Sequence, residues 1–278
     1  MANRFWVGGT GTWDASDTTH WASTTGGAGG ASVPGTADAV ILDASSGGGT
    51  VTPSADIAVQ SITCGAFTGT LDFSTNNNNA TLSASAGFSM SGSGTRTIKL
   101  GSGAFNFTST ASSGVRFNAA TVTNLTFDAG TSVLKFARPL LGNAQITGGG
   151  QTYATIECLG GTSETGQFLI QTAGNIIGTL KLNGKSSVTL PVDQTINAID
   201  TSVLAVSAQA YLGAPQANGG TDITKASGSI AMNWVALEGL NFTGGATFAA
   251  TNSFDLGGNS GITITPPITV QPICAVGI

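Results

Sequence analysis

Short runs that alternate apolar, polar and apolar residues recur through most of the chain. In the first half they include Leu71-Asp72-Phe73, Ile98-Lys99-Leu100, Phe105-Asn106-Phe107, Val115-Arg116-Phe117 and Leu125-Thr126-Phe127. The second half continues with Leu180-Lys181-Leu182, Val188-Thr189-Leu190, Ile230-Ala231-Met232, Leu240-Asn241-Phe242, Phe254-Asp255-Leu256 and Ile262-Thr263-Ile264. Period-two alternation marks a β-strand with one buried face. Each run is very short, and Gly, Asn, Ser and Thr clusters follow within a few residues, as turns between strands require. Asp72, Lys99, Arg116, Lys135 and Lys181 fall on the polar positions. The pattern thus assigns much of the sparse charge to a solvent face.

Two architectures accommodate many short strands. An antiparallel β-sandwich or jelly roll uses longer strands joined by tight hairpins. A parallel β-helix, or solenoid, stacks short strands with turns that tolerate changes in length. Asn183-Gly184 and Asn218-Gly219 are the few hairpin-type dipeptides. Gly, Ser and Thr also suit corners where successive turns stack about 4.8 Å apart. The pattern predicts an all-β parallel solenoid, with the antiparallel sandwich as the alternative. Helix is confined to one stretch, Ile199 to Leu212, where a strand-and-turn reading fits equally well.

Three regions follow: residues 1–45, rich in Trp and Gly; residues 46–265, the alternating body; and residues 266–278, an extended apolar tail opening on Pro266-Pro267. The ends of a solenoid expose strand edges and core side chains. Trp6, Trp13 and Trp21 are therefore expected to cap the first turn, or else to present a flat platform to a glycan. Ile268, Val270, Ile273, Val276 and Ile278 are expected to dock the tail, either on its own core or on a neighbouring chain, because its prolines exclude helix.

Composition sharpens this picture. The chain of 278 residues holds 41 Gly, and only 8% of its residues are charged, against about a quarter in ordinary soluble domains. Hydrophobic residues make up 40%, enough to bury a core. The net charge is −5, with 9 Lys and Arg scattered singly, so no basic patch exists for direct nucleic-acid binding. A chain so weakly charged is expected to live in an assembly, including one with its own copies. Neither a signal peptide nor an apolar run long enough for a membrane span is visible, so synthesis in the cytoplasm without a membrane partner is expected.

Candidate chemistry is thin. Cys64, Cys158 and Cys274 have unrelated spacings that suit neither disulfides nor a metal site, and the first two close apolar triplets as core residues. His20 is the one histidine, and a hydrogen-bonded structural role fits it better than a triad. Gly178 to Ser186 ends like a phosphate-binding loop, but it has one residue too many between its glycines and a strand follows it. Asp38, Asp43 and the Asp14/Asp17 pair could hold calcium, although capping of local turns is their commoner use. Asn76-Asn77-Asn78-Asn79 reads as an exposed loop or an asparagine ladder. Paired carboxylates could cleave a polysaccharide, but aromatic platforms are scarce beyond the N-terminal region. No cofactor, metal or catalytic residue is assigned.

The opening Arg4-Phe5-Trp6-Val7-Gly8-Gly9-Thr10-Gly11-Thr12-Trp13-Asp14 resembles a segment of tailed-bacteriophage virion proteins and related uncharacterised phage and bacterial sequences. His20-Trp21-Ala22-Ser23, Ser32-Val33-Pro34, Gly244-Gly245-Ala246-Thr247-Phe248 and Asp255-Leu256-Gly257-Gly258-Asn259-Ser260-Gly261 are similar to the same family. The resemblance implies a β-helical virion component and carries no catalytic residues. The expected function is non-enzymatic: a capsid decoration or head-associated protein that docks onto other virion chains. The alternatives are a carbohydrate-binding receptor module of a tail fibre or adhesin, and a β-helical polysaccharide-cleaving enzyme.

Overall fold

Most of the alternating triplets fold as the pattern predicts, with both apolar members buried. This holds for Leu71 and Phe73, Ile98 and Leu100, Phe105 and Phe107, Leu180 and Leu182, and Leu240 and Phe242. The computed structural model describes residues 2–161, 164–215 and 220–268. Val270, Ile273, Val276, Ile278 and Cys274 lie outside the described residues, as does Asn218-Gly219.

The chain is all-β, with several mostly parallel sheets and, among the described residues, one 3₁₀ turn at Ala44–Ser46 and no α-helix. A twelve-stranded sheet begins at Trp21–Ala22 and passes through Ala2–Trp6, Asp38–Ile41, Ser61–Thr63, Phe88–Ser89, Ser113–Asn118 and Asn143–Thr147. It continues through Gln167–Gln171, Ser187–Thr189, Ala210–Gly213 and Val235–Glu238 to Phe254–Asp255. A nine-stranded sheet runs from Ile57–Val59 through Ala80–Leu82, Ala104–Phe107, Val133–Phe136, Thr152–Cys158, Ile176–Leu182, Gln194–Asp200 and Thr221–Thr224 to Leu240–Thr243. A five-stranded sheet holds Gly11–Trp13, Thr50–Pro53, Thr70–Asp72, Arg96–Lys99 and Leu125–Asp128. A three-stranded sheet of Ser229–Asn233, Thr247–Thr251 and Thr263–Ile264 completes the set.

The pairing is parallel throughout, except between Ala2–Trp6 and Trp21–Ala22 among the described ladders. That sets the antiparallel sandwich aside. From Ser61 to Phe136 the chain visits the twelve-, five- and nine-stranded sheets in turn. After Leu125–Asp128 the five-stranded sheet stops, and strands of seven residues such as Thr152–Cys158 and Ile176–Leu182 appear in the nine-stranded sheet. The three-stranded sheet enters later, on the passage from the nine-stranded sheet back to the twelve-stranded one. Residue 45 marks no break, since strands on either side of it share one sheet.

Register aligns like side chains into columns. Ile57, Ala80, Phe105, Leu134, Ile156, Leu180 and Ile199 follow one another across the nine-stranded sheet, all buried. A second column runs Val59, Leu82, Phe107, Phe136, Cys158 and Leu182, so Cys158 is a small core residue in an apolar stack. One hydrophobic cluster draws on all four sheets. Corners demand small residues: a Cβ on Gly92 would sit 2.2 Å from the carbonyl oxygen of Gly65.

Three expectations need correction. Arg116 is fully buried rather than solvent-facing. The register slips between Val115 and Phe117 against their partners, so Arg116 is the extra residue of a bulge and turns inward. Asp72 is also buried, held by Ser74 and Thr75. Phe254 and Leu256 are 39% and 50% exposed, because Phe254 pairs with the half-buried Ala236 while Asp255 pairs with the buried Leu237. Asn183-Gly184 lies in a turn between two different sheets. Ile199 to Leu212 forms strand ends and turns, the second of its two readings.

Candidate docking surfaces

Trp6, Trp13 and Trp21 meet at the start of the twelve-stranded sheet. Trp21 packs edge-on against both Trp6 and Trp13 at 5.1 Å, and the His20 ring stacks flat on Trp6 at 4.6 Å. Trp6 Nε1 donates to Gly9 O at 2.8 Å, and His20 Nδ1 lies 2.8 Å from Val7 O. Gly11 is required there, since a Cβ would fall 2.4 Å from His20 Nε2. All three indoles are buried, so none offers a flat face to a sugar.

The acidic residues considered for calcium serve local turns. Ser16 and Asp17 N–H donate to Asp14 Oδ1 at 2.6 Å, and the Thr19 hydroxyl donates to Asp17 Oδ1 at 2.6 Å. These bonds hold both carboxyls below the ordinary carboxylate range. Asp43 caps the 3₁₀ turn, and Asp38 Oδ2 accepts from Gly35 N–H. Among the described residues no three His, Cys, Asp or Glu side chains gather as a metal site would need. Burial pushes the Cys64 thiol up to about 12, away from nucleophilic use. The asparagine run bridges neighbouring strands: Asn76 and Asn78 donate to Pro53 O, and Asn79 pairs with Asp56.

Two buried arginines escape a pattern-based reading. Arg96 donates to the carbonyls of Met90, Gly94, Thr121 and Thr123, with distances of 2.9 Å to Met90 from Nε and 2.7 Å to Gly94. Arg116 donates to Ser85, Ser113 and Ala111 carbonyls, and its Nε is left without a partner. Burial lowers the pKa of both guanidinium groups. Each arginine ties together backbone carbonyls of separate turns.

Outward positions carry a charge ladder on the nine-stranded sheet. Lys135, Glu157, Lys181 and Asp200 are successive register partners. Glu157 lies 3.2 Å from Lys135 Nζ and 3.6 Å from Lys181 Nζ, and accepts from Asn183 Nδ2 at 2.9 Å. Burial pushes its carboxyl up, but these donors and charges outweigh that and hold it below its ordinary value.

Two grooves lie beside partly buried or exposed apolar side chains. At the C-terminal end a groove of about 380 Å³ is lined by Phe254, Asp255, Ile262, Ile264 and Pro266, and Ile268 beyond it is 87% exposed. At the last strand of the five-stranded sheet a groove of about 310 Å³ opens over Phe127, Tyr153 and Ile176. The second was not legible as a site, because Leu125-Thr126-Phe127 reads like every other triplet. No protein-family model matches the chain, and no curated protein or solved structure matches it.

Proposed function

We propose that the four sheets wind as one parallel β-solenoid, and that the chain is a non-enzymatic structural protein of a tailed-phage virion. Its work is docking: a rigid body, capped at one end by the three tryptophans, joins capsid or other virion chains and its own copies. A head-decoration role adds buried interface between subunits and so stabilises the particle by mass action. The observation that carries the reading is the asymmetry between the ends. At the N-terminal end the three indoles are buried and leave a groove of only about 120 Å³ beside Trp13, while Phe254, Leu256 and Ile268 stay exposed at the C-terminal groove of about 380 Å³. Residues 268–278 supply the contact segment in this reading. The resemblance of Arg4 to Asp14 to phage virion proteins gives the setting.

The test is sedimentation velocity on the full chain and on a variant ending at Thr265, with circular dichroism to verify folding. An oligomer that falls to monomer on truncation, together with failure of the short chain to enter particles, is expected. Normal incorporation of the truncated protein would end the docking proposal. The carbohydrate-binding reading needs exposed aromatics, and the buried indoles do not favour it.

A further inference from the structure

We propose that the free edge of strand Leu125–Asp128 receives an extended segment of a partner chain, added in parallel and reading apolar, threonine, apolar, lysine or arginine. The inference rests on the docking function proposed above and names the chemistry of one partner segment.

The layers beneath that edge dictate the pattern. Val51, Leu71, Ile98 and Phe127 stack in register as one column. The first three are fully buried, whereas Phe127 is only partly buried. Leu125, stacked on the buried Arg96, is partly buried as well. The sheet therefore stops one layer short of burying its own apolar side chains. The groove above them is floored by Phe127 and Tyr153, whose rings are 5.5 Å apart, and by Ile176, which is 41% exposed.

The outward positions add specificity. Thr50, Thr70, Thr97 and Thr126 form a threonine column. Beside it Asp72, Lys99 and Asp128 alternate in sign, with Lys99 Nζ 3.7 Å from Asp72. Asp128 is exposed, and its Oδ1 accepts the local Gly130 N–H at 2.9 Å. One more strand in the same register sets an apolar residue over Phe127, a threonine over Thr126 and a cation over Asp128. Among the described residues no strand occupies that edge. An open edge is a template for strand addition, in which main-chain bonds supply affinity and alternating side chains supply selectivity. The C-terminal end suits this mode less well, because Asp255 puts a carboxylate at the end of the column Phe168, Val188, Leu212 and Leu237.

The test uses the full chain and fluorescent decapeptides with a valine-threonine-valine-lysine core flanked by Gly and Ser. Fluorescence anisotropy should show binding of the lysine peptide. A peptide with glutamate in place of lysine should bind about fivefold more weakly, since like charges replace opposite ones across the pair. Asp128→Lys, an exposed substitution, should reverse that preference. Absence of binding by either peptide overturns the inference, and so does a preference that ignores Asp128→Lys. A chain dimer that dissociates as peptide is added would overturn it too, by identifying a second copy as the occupant. Failure here with normal entry into particles leaves the docking function standing. Peptide binding by a chain that joins no assembly leaves the edge assignment standing and removes the function.

Discussion

At the residue scale, the buried arginines separate what alternation can reveal from what it cannot. Arg116 sits between Val115 and Phe117 in a regular triplet, and only a slip of register against Gln145 and Ile146 turns it inward. Period two fixes faces only while register holds, so a bulge is invisible to it. Arg96 follows the glycine-rich Ser91-Gly92-Ser93-Gly94-Thr95, where no carboxylate advertises a buried cation. Its partners are carbonyl oxygens of two separate turns, Met90 and Gly94 in one and Thr121 and Thr123 in the other. Arg96→Met keeps the volume but leaves corner carbonyls without their donor, at about 1–3 kcal/mol for each dry group. A loss of about 3 kcal/mol in urea-unfolding stability, with unchanged m-value, is expected. Arg96→Lys should recover little, because one ammonium cannot reach the fork of carbonyls that a planar guanidinium spans. Equal stability of Arg96→Met and the parent would remove the corner-tying role.

At the element scale, strands were legible because their inward members are large and apolar, as with Phe105, Leu134 and Leu180. Which sheet a strand joins was not legible, since strands of the same alternating kind, such as Arg96–Lys99 and Ala104–Phe107, join different sheets. The charge ladder belongs to this scale, because only register brings Lys135, Glu157 and Lys181 together. Glu157 has a folded pKa below its ordinary value of 4.5. Its contribution is therefore present in full above 4.5 and fades as the pH falls through the lower folded value. Glu157→Gln should cost about 1 kcal/mol at neutral pH, an exposed-partner ion pair being modest. The gap between parent and variant, followed by thermal unfolding from pH 7 to 3, should narrow below 4.5. A gap that stays constant across that range would mean that hydrogen bonding to Asn183, and not the charge, is what Glu157 contributes.

At the scale of the whole molecule, the two ends differ, and the sequence announced only one of them. Three tryptophans in the opening segment signal a cap, whereas the exposed Phe254 and Leu256 look like core until pairing with Ala236 and Leu237 sets their phase. If the sheets wind as one solenoid, each layer touches only its neighbours, and stability propagates locally along the axis. Trp21→Ala removes a side chain that packs on both Trp6 and Trp13, a change worth about 3–5 kcal/mol in a packed core. In a one-dimensional stack that loss opens the first layers and leaves distant ones protected. Hydrogen exchange should then quicken in Ala2–Trp6 and Asp38–Ile41 while Ile176–Leu182 and Gln194–Asp200 keep the parent's rates. The parent itself should exchange faster at Phe254–Asp255 and Thr263–Ile264, which are edge strands of their sheets, than at Thr152–Cys158. Uniform quickening from end to end after Trp21→Ala would instead describe one cooperative unit, and would count against both the local coupling and the solenoid that produces it.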